Sequence, residues 1–302
     1  MPPPSTAETA RWASEPEAGE AWQQRQIDVM ADRAKVAVAR IAARLSAGHD
    51  AQQVAGRVLM GDIEGAALLA SRSRDPVAYR IALSFCGRLA SSPEAPHCAL
   101  LRPERWAALD PADARPWLRL LDEARQRSDE AAVRRALSEI GARSQLSAWT
   151  WMLEAQVLPL LDLEPDPALR MFALFQVVGM DAAVPLVGMP ALNATCRDRE
   201  AAWPERMPLC RTAARQMLAA ANDLLDATLA QTVAERSGVP RGEQAWDRAT
   251  LHDMMTAYAL QRQPGRSYAC GTLQTWVKLS QDRVMRGELT LAHQVLRERP
   301  GR

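Results

Sequence analysis

The chain is almost without lysine: Lys35 and Lys278 are the only two, and arginine supplies the rest of the positive charge. It also has no surplus of either sign, since 37 basic residues meet 36 acidic ones for a formal net charge of +1. A nucleic-acid partner is therefore not expected, because binding a polyphosphate chain needs concentrated positive charge that releases counterions. Aromatics make up 5% of the 302 residues and glycine contributes only 15, so strand formers and tight hairpin turns are thin. Long apolar runs are missing as well. The most apolar window, residues 173–192, is interrupted by Gln176, Asp181, Pro185 and Pro190, which excludes a membrane-spanning helix there.

Motifs that carry chemistry are equally scarce. The histidines at His49, His97, His252 and His293 are scattered, with no His-x-x-x-His or Cys-x-x-Cys spacing, so no metal site and no metal cofactor is expected. There is no Gly-x-Ser-x-Gly elbow, no Gly-x-Gly-x-x-Gly and no Gly-Lys-Ser or Gly-Lys-Thr, so neither a serine nucleophile nor a phosphate cradle is expected. His252-Asp253-Met254-Met255 is the one dense group of possible ligands. Neighbouring helix positions point about 100° apart, so the four cannot converge from one helix. They read as surface His and Asp with core methionines. Asp162, Glu164 and Glu298 read as helix ends and solvated faces, and no catalytic or cofactor-binding residue is assigned.

What is present is helical. Hydrophobic residues make up 48%, a globular share, and nowhere do they alternate convincingly between hairpin turns, so the expected fold is all-α. Residues 1–16, opening Met-Pro-Pro-Pro, read as a disordered lead-in. Residues 17–47 then predict one long helix, with Ile27, Ala31, Ala34, Val38, Ile41 and Leu45 on one face. Packing within its own domain is favoured over a seam that would make a homo-oligomer, because the run is under three heptads and uses alanine at seam positions. Gly48 suits a stop and Asp50 an N-cap. Asp-Pro pairs at Asp75-Pro76, Asp110-Pro111 and Asp166-Pro167 predict helix starts, with Asp as cap and Pro at the first helical position. The first two lie 35 residues apart, and the turns at Gly61-Asp62 and Ser128-Asp129 lie 67 apart, close to twice 34.

On those residues the segment 109–140 resembles a tetratricopeptide-type unit. Asp110-Pro111 closes the preceding repeat, Trp117 stands seven residues on where the family has its aromatic, and Leu120 and Ala124 follow. Ser128-Asp129 replaces the family's Gly-Asp, and Ala132, Ala136 and Ile140 line the second helix. The resemblance implies stacked antiparallel helical hairpins, a core position for Trp117 and a face for a protein or peptide partner. The match departs where Leu121 replaces a small residue and where Tyr79 is out of register in the Asp75 unit. The pattern also resembles exported helical proteins of high-GC proteobacteria, which brings no activity with it.

Further on, residues 146–161 and 167–180 read as largely buried helices. Residues 181–208, with Pro185, Pro190, Pro204, Pro208 and Gly188, read as an irregular connector between an N-terminal array over 17–180 and a C-terminal half over 209–302. Residues 209–237 predict one long helix ended by Gly238, with further helices over 243–261, 270–286 and 288–299.

Five cysteines remain. Cys86 and Cys98 flank a Pro-containing loop, Cys196 and Cys210 flank another, and Cys270 is left over. Each pair reads as a disulfide worth about 3 kcal/mol by loop entropy, or as buried free thiols. The recurrence favours disulfides, and with them a periplasmic or secreted location. That location requires an export signal removed from, or lying upstream of, this sequence, and free thiols would instead fit the cytoplasm. Of the nine tryptophans, Trp12 and Trp22 are the candidates for partner contact. Together these features favour a non-enzymatic helical protein that binds a protein or peptide. The alternative is an enzyme or small-molecule binder whose site is assembled between helices.

Overall fold

The structure is a computed structural model that describes residues 16–87, 96–148, 151–197, 203–262 and 270–298. Among the described residues it is all-α, with fifteen helices and no strand. In chain order these are α1 (Pro16–Leu45), α2 (Asp50–Leu59), α3 (Ile63–Arg72), α4 (Pro76–Cys86), α5 (Pro103–Leu109), α6 (Arg115–Gln126), α7 (Glu130–Ala142) and α8 (Met152–Leu161). They continue as α9 (Pro167–Ala182), α10 (Met189–Arg197), α11 (Arg206–Ala220), α12 (Leu224–Ser237), α13 (Arg248–Arg262), α14 (Cys270–Arg286) and α15 (Glu288–Arg297).

Aspartate starts many of them. The carboxylates of Asp62, Asp75, Asp129, Asp166 and Asp223 accept from the backbone N–H groups of Gly65, Val77, Ala132, Ala168 and Asp226 at 2.6–2.9 Å. Each satisfies a donor that the helix itself leaves open, a contribution of about 1 kcal/mol apiece. Gly238, at φ +77°, ends α12 as its spacing before Val239-Pro240 predicts.

Three apolar clusters form the interior. The first joins the second half of α1 (Val38, Ile41, Leu45) to α2, α3, α4, α8 and α9, with Trp106 of α5 buried among them. The second joins α6 and α7 to α10, α11 and α12. The third joins the start of α12 to α13 and α15. The α6–α7 hairpin forms as expected around Ser128-Asp129, with Ser128 at φ +54°. Its buried face carries Leu118, Leu121 and Ala124, whereas Trp117 and Leu120 are only half-buried. Trp117 packs at the margin of the second cluster and stands under the Arg143 guanidinium, 5.5 Å from the ring centre. On α7, Ala136, Leu137 and Ile140 face the core.

Several boundaries differ from expectation. Asp110 ends α5 instead of starting α6, because the chain then turns into an isolated bridge between Asp113 and Gln145. Residues 143–148 are drawn into the same arrangement and do not join α8. The N–H of Gln145 donates to Ala112 O at 3.0 Å, and the Ser147 N–H donates to Asp113 Oδ1 at 3.0 Å. Trp151 then sits at φ +61°, a left-handed conformation that blocks helix propagation through it. The expected helix over 209–237 is two, broken at residues 221–223, where Asp223 turns extended and caps α12. The segment 181–208 is not irregular throughout, since α10 lies within it. Gly188, at φ +87°, brings the backbone against Leu118, so that a Cβ there would lie 2.3 Å from the Leu118 carbonyl oxygen. Asp50 is the first residue of α2, with His49 at the cap, and its carboxylate accepts from the Ser73 hydroxyl. Helix α9 is amphipathic, with Phe175 exposed and set edge-on to Trp276 at 5.5 Å.

Candidate functional site

Among the described residues a large concavity lies where α12 hands over to α13. Its volume is about 1220 Å³, and it is an open groove. Helix α12 contributes Thr228, Gln231 and Glu235. The link between the helices contributes Val239, Arg241, Gln244 and Asp247, and α13 contributes Arg248, Ala249, Leu251, His252 and Met255. Positions 228, 231 and 235 share a helix face by their spacing of three and four, and so do 248, 251, 252 and 255.

The groove's charges are balanced in place. The Arg248 guanidinium holds the Glu235 carboxylate at 3.1 and 3.2 Å through Nε, and keeps its carboxyl below the usual carboxylate range. Asp247 accepts from the Thr250 N–H at 2.8 Å and its hydroxyl at 2.9 Å, which lowers its carboxyl too. Arg241 adds attraction to both. Beneath this rim lies a chain of amides. Gln231 Nε2 donates to Glu235 Oε1 at 3.2 Å and to Gln244 Oε1 at 2.8 Å, and Gln244 Nε2 donates to Val239 O at 2.8 Å. Gln231 is 2% exposed, and its Oε1 has no donor. An apolar ledge continues the groove along α12. Leu225 is exposed one turn before Thr228, and Met255, also exposed, meets the Thr228 hydroxyl through sulfur at 3.7 Å.

Two ionic centres are buried in the interior, and the first anchors α12, which carries one wall of the groove. In the first, Arg115 at the start of α6 grips Asp226 of α12 through both terminal nitrogens, and each side chain is 1% exposed. The same guanidinium donates to Ser147 O at 2.8 and 3.1 Å, and Asp113 accepts from the Arg115 N–H at 3.0 Å. Burial pushes the nearby Asp223 carboxyl up to about 8, and the Asp226 charge adds to the effect. In the second, Arg283 of α14 pairs with Glu154 of α8 and lies over the Trp151 ring at 5.1 Å. Asp181 of α9 accepts from the Leu153 and Glu154 N–H groups at 3.0 Å, and burial raises its carboxyl to about 7.

The four cysteines singled out from sequence come together as two disulfides. Cys86–Cys98 has its Cα atoms 5.4 Å apart, and Cys196–Cys210 has them 5.7 Å apart. Trp12 lies outside the described residues, as do the side chains of Trp22 and Cys270. Glu164 is not on a solvated face. It is 5% exposed, with Arg40 3.5 Å away, while Asp162 is exposed as expected. Met254 is buried but Met255 is not, so the 252–255 group supplies His252 and Met255 to the groove. The other histidines serve elsewhere: His97 meets Glu64, and His293 packs edge-on to Trp246 at 5.2 Å. Among the described residues no three His, Cys, Asp or Glu side chains gather as a metal site. Nor is any described helix long and apolar enough to cross a membrane. Comparison of the chain with protein-family models, with curated proteins and with solved structures finds no match.

Sequence reasoning missed Gln231, Gln244, Arg115 and Asp226. Neutral amides have no motif, and Arg115 and Asp226 are 111 residues apart. One signal was available. Asp226 recurs three residues after Asp223 inside an apolar stripe, where a carboxylate is costly unless it is paired.

Proposed function

We propose that this is a binding protein, not an enzyme, and that it holds a peptide segment of a protein partner in the groove between α12 and α13. The observation that carries this is the groove's make-up: an open channel with a self-neutralised charged rim over a base of Gln231, Gln244, Val239 and Leu251, and the exposed Leu225 and Met255 in continuation. Exposed apolar side chains beside a concavity with convergent polar groups suit a macromolecular ligand. The carboxylates are not placed to act as general acids. Glu235 and Asp247 are both held below the ordinary range, so neither carries a proton at neutral pH to donate. The two disulfides support an oxidising compartment as the place where the partner is met.

The occupant is an uncharged, partly apolar segment. The rim's guanidiniums already face the rim's carboxylates, so a strongly charged partner gains little there. The test uses a random twelve-residue peptide library selected on the immobilised protein, followed by calorimetry of the enriched peptides. Ala249 is exposed on α13 and lines the groove, so Ala249→Trp fills it from a position the core does not use. Enriched peptides should lose at least tenfold in affinity for that variant. Peptides that bind both forms equally would refute the assignment of the groove, and a library that enriches nothing would refute peptide binding.

A further inference from the structure

We propose that the Gln244 side chain is a tethered stand-in for a ligand amide, and that Gln231 with the Val239 carbonyl forms the amide-reading element of the groove. The ligand class is then a peptide segment presenting an Asn or Gln carboxamide, with an apolar neighbour on the Leu225–Met255 ledge.

The geometry is that of an occupied recognition site. A carboxamide has one acceptor end and one donor end, and here both are engaged. Gln244 Oε1 accepts from Gln231 Nε2 at 2.8 Å, and Gln244 Nε2 donates to Val239 O at 2.8 Å. The orientation of the Gln231 amide is fixed by its surroundings. Its nitrogen faces two oxygens, Glu235 Oε1 and Gln244 Oε1, so turning it over would set oxygen against oxygen. That leaves Gln231 Oε1 buried without a donor. Gln244 cannot supply the missing N–H while its nitrogen serves Val239.

The occupant is suited to leaving. Gln244 sits on the 239–247 link, a single short 3-10 turn over Arg241–Glu243, and not within either helix. It is half-buried, and its own backbone N–H is held by Arg241 O at 3.2 Å. Exchange for an incoming carboxamide trades like hydrogen bonds for like. The advantage of the ligand comes from what Gln244 fails to do: a ligand main-chain N–H satisfies Gln231 Oε1, and a ligand apolar side chain covers the exposed Leu225 and Met255. Because the rim is neutralised in place, recognition runs on neutral hydrogen bonds and apolar area.

This inference rests on the peptide-binding reading above, and its test separates the two. A library-selected peptide that Ala249→Trp blocks is titrated into the wild-type protein, Gln244→Ala, Gln244→Ser and Gln231→Met, with thermal melts confirming that each variant is folded. Removing the stand-in should tighten binding about five- to tenfold, because the cost of displacing it disappears. Gln231→Met should weaken binding about tenfold, and affinity should change by less than about twofold between low and high salt. Unchanged or weaker binding to both Gln244 variants would overturn the stand-in role and leave the peptide groove intact, and strong salt dependence would overturn the uncharged ligand. A peptide indifferent to Ala249→Trp would remove both proposals.

Discussion

Replacing Arg115 by methionine should be one of the most damaging single changes in the chain, and its cost should depend on pH. The wild-type guanidinium is 1% exposed and answers Asp226 at two oxygens and Ser147 O at two distances. Methionine fills much of the volume but leaves the Asp226 carboxylate buried and unpaired. A carboxylate in that position does not stay charged. It takes up a proton, and at pH 7 protonating a group of ordinary pKa near 3.9 costs roughly 4 kcal/mol. That sets the expected loss, in line with the 3–5 kcal/mol typical of breaking a buried pair. The carboxyl of the variant has a raised folded pKa, so the penalty grows as pH rises above the unfolded value. At pH 5 it should shrink to about 1–2 kcal/mol. Urea denaturation followed by far-ultraviolet circular dichroism at both pH values, with disulfides intact, measures this. Arg115→Met together with Asp226→Leu should recover most of the loss. A single variant within 1 kcal/mol of wild type at pH 7, or a loss independent of pH, would refute the buried pair as described.

Asp223→Asn keeps the cap on α12, since an Asn oxygen can still accept from the Asp226 N–H at the wild-type 2.6 Å position. Wild-type Asp223 is raised to about 8, so the folded protein holds a proton that the unfolded chain releases above about pH 4, and its contribution to stability falls as pH rises through that window. The variant should therefore lose stability less steeply than wild type between pH 5 and 7, by about 1 kcal/mol per pH unit, and parallel stability curves would contradict the assignment. Replacing Cys86 and Cys98 together by serine should cost about 3 kcal/mol, since the bridge closes a loop of sequence separation 12. The melting temperature of the variant, compared with that of the oxidised wild type, checks this, and an unchanged melting temperature would contradict it.

The helices were legible because their signals are local. Asp75 and Asp166 before proline, Gly61-Asp62 as a turn and Gly238 as a stop each act within one helical turn, and the cysteine pairs span single loops. The misplacements share a cause. Asp110-Pro111 has the same local chemistry as Asp75-Pro76, yet the neighbouring Asp113 is claimed by Ser147 and Arg115 from other parts of the chain. The break at residues 221–223 is likewise fixed from outside, by Leu289 donating to Asn222 O at 3.0 Å and Glu288 accepting from the Leu224 N–H. A continuous apolar stripe over 209–237 hides it. Trp117 follows the spacing of a repeat and packs against the second cluster, but only half-buried, with Arg143 over its ring. The groove was least legible, because Gln231, Gln244 and the Val239 carbonyl converge on it from a helix and a link.

The most direct test of the proposed binding role of the groove is hydrogen exchange on the full chain with and without a library-selected peptide. Slowed exchange should fall on residues 228–255, covering most of α12, the link and the first turns of α13, with the rest of the protein unchanged. Protection concentrated elsewhere, for example on the α9–α14 face around Phe175 and Trp276, with none over 228–255, would contradict it.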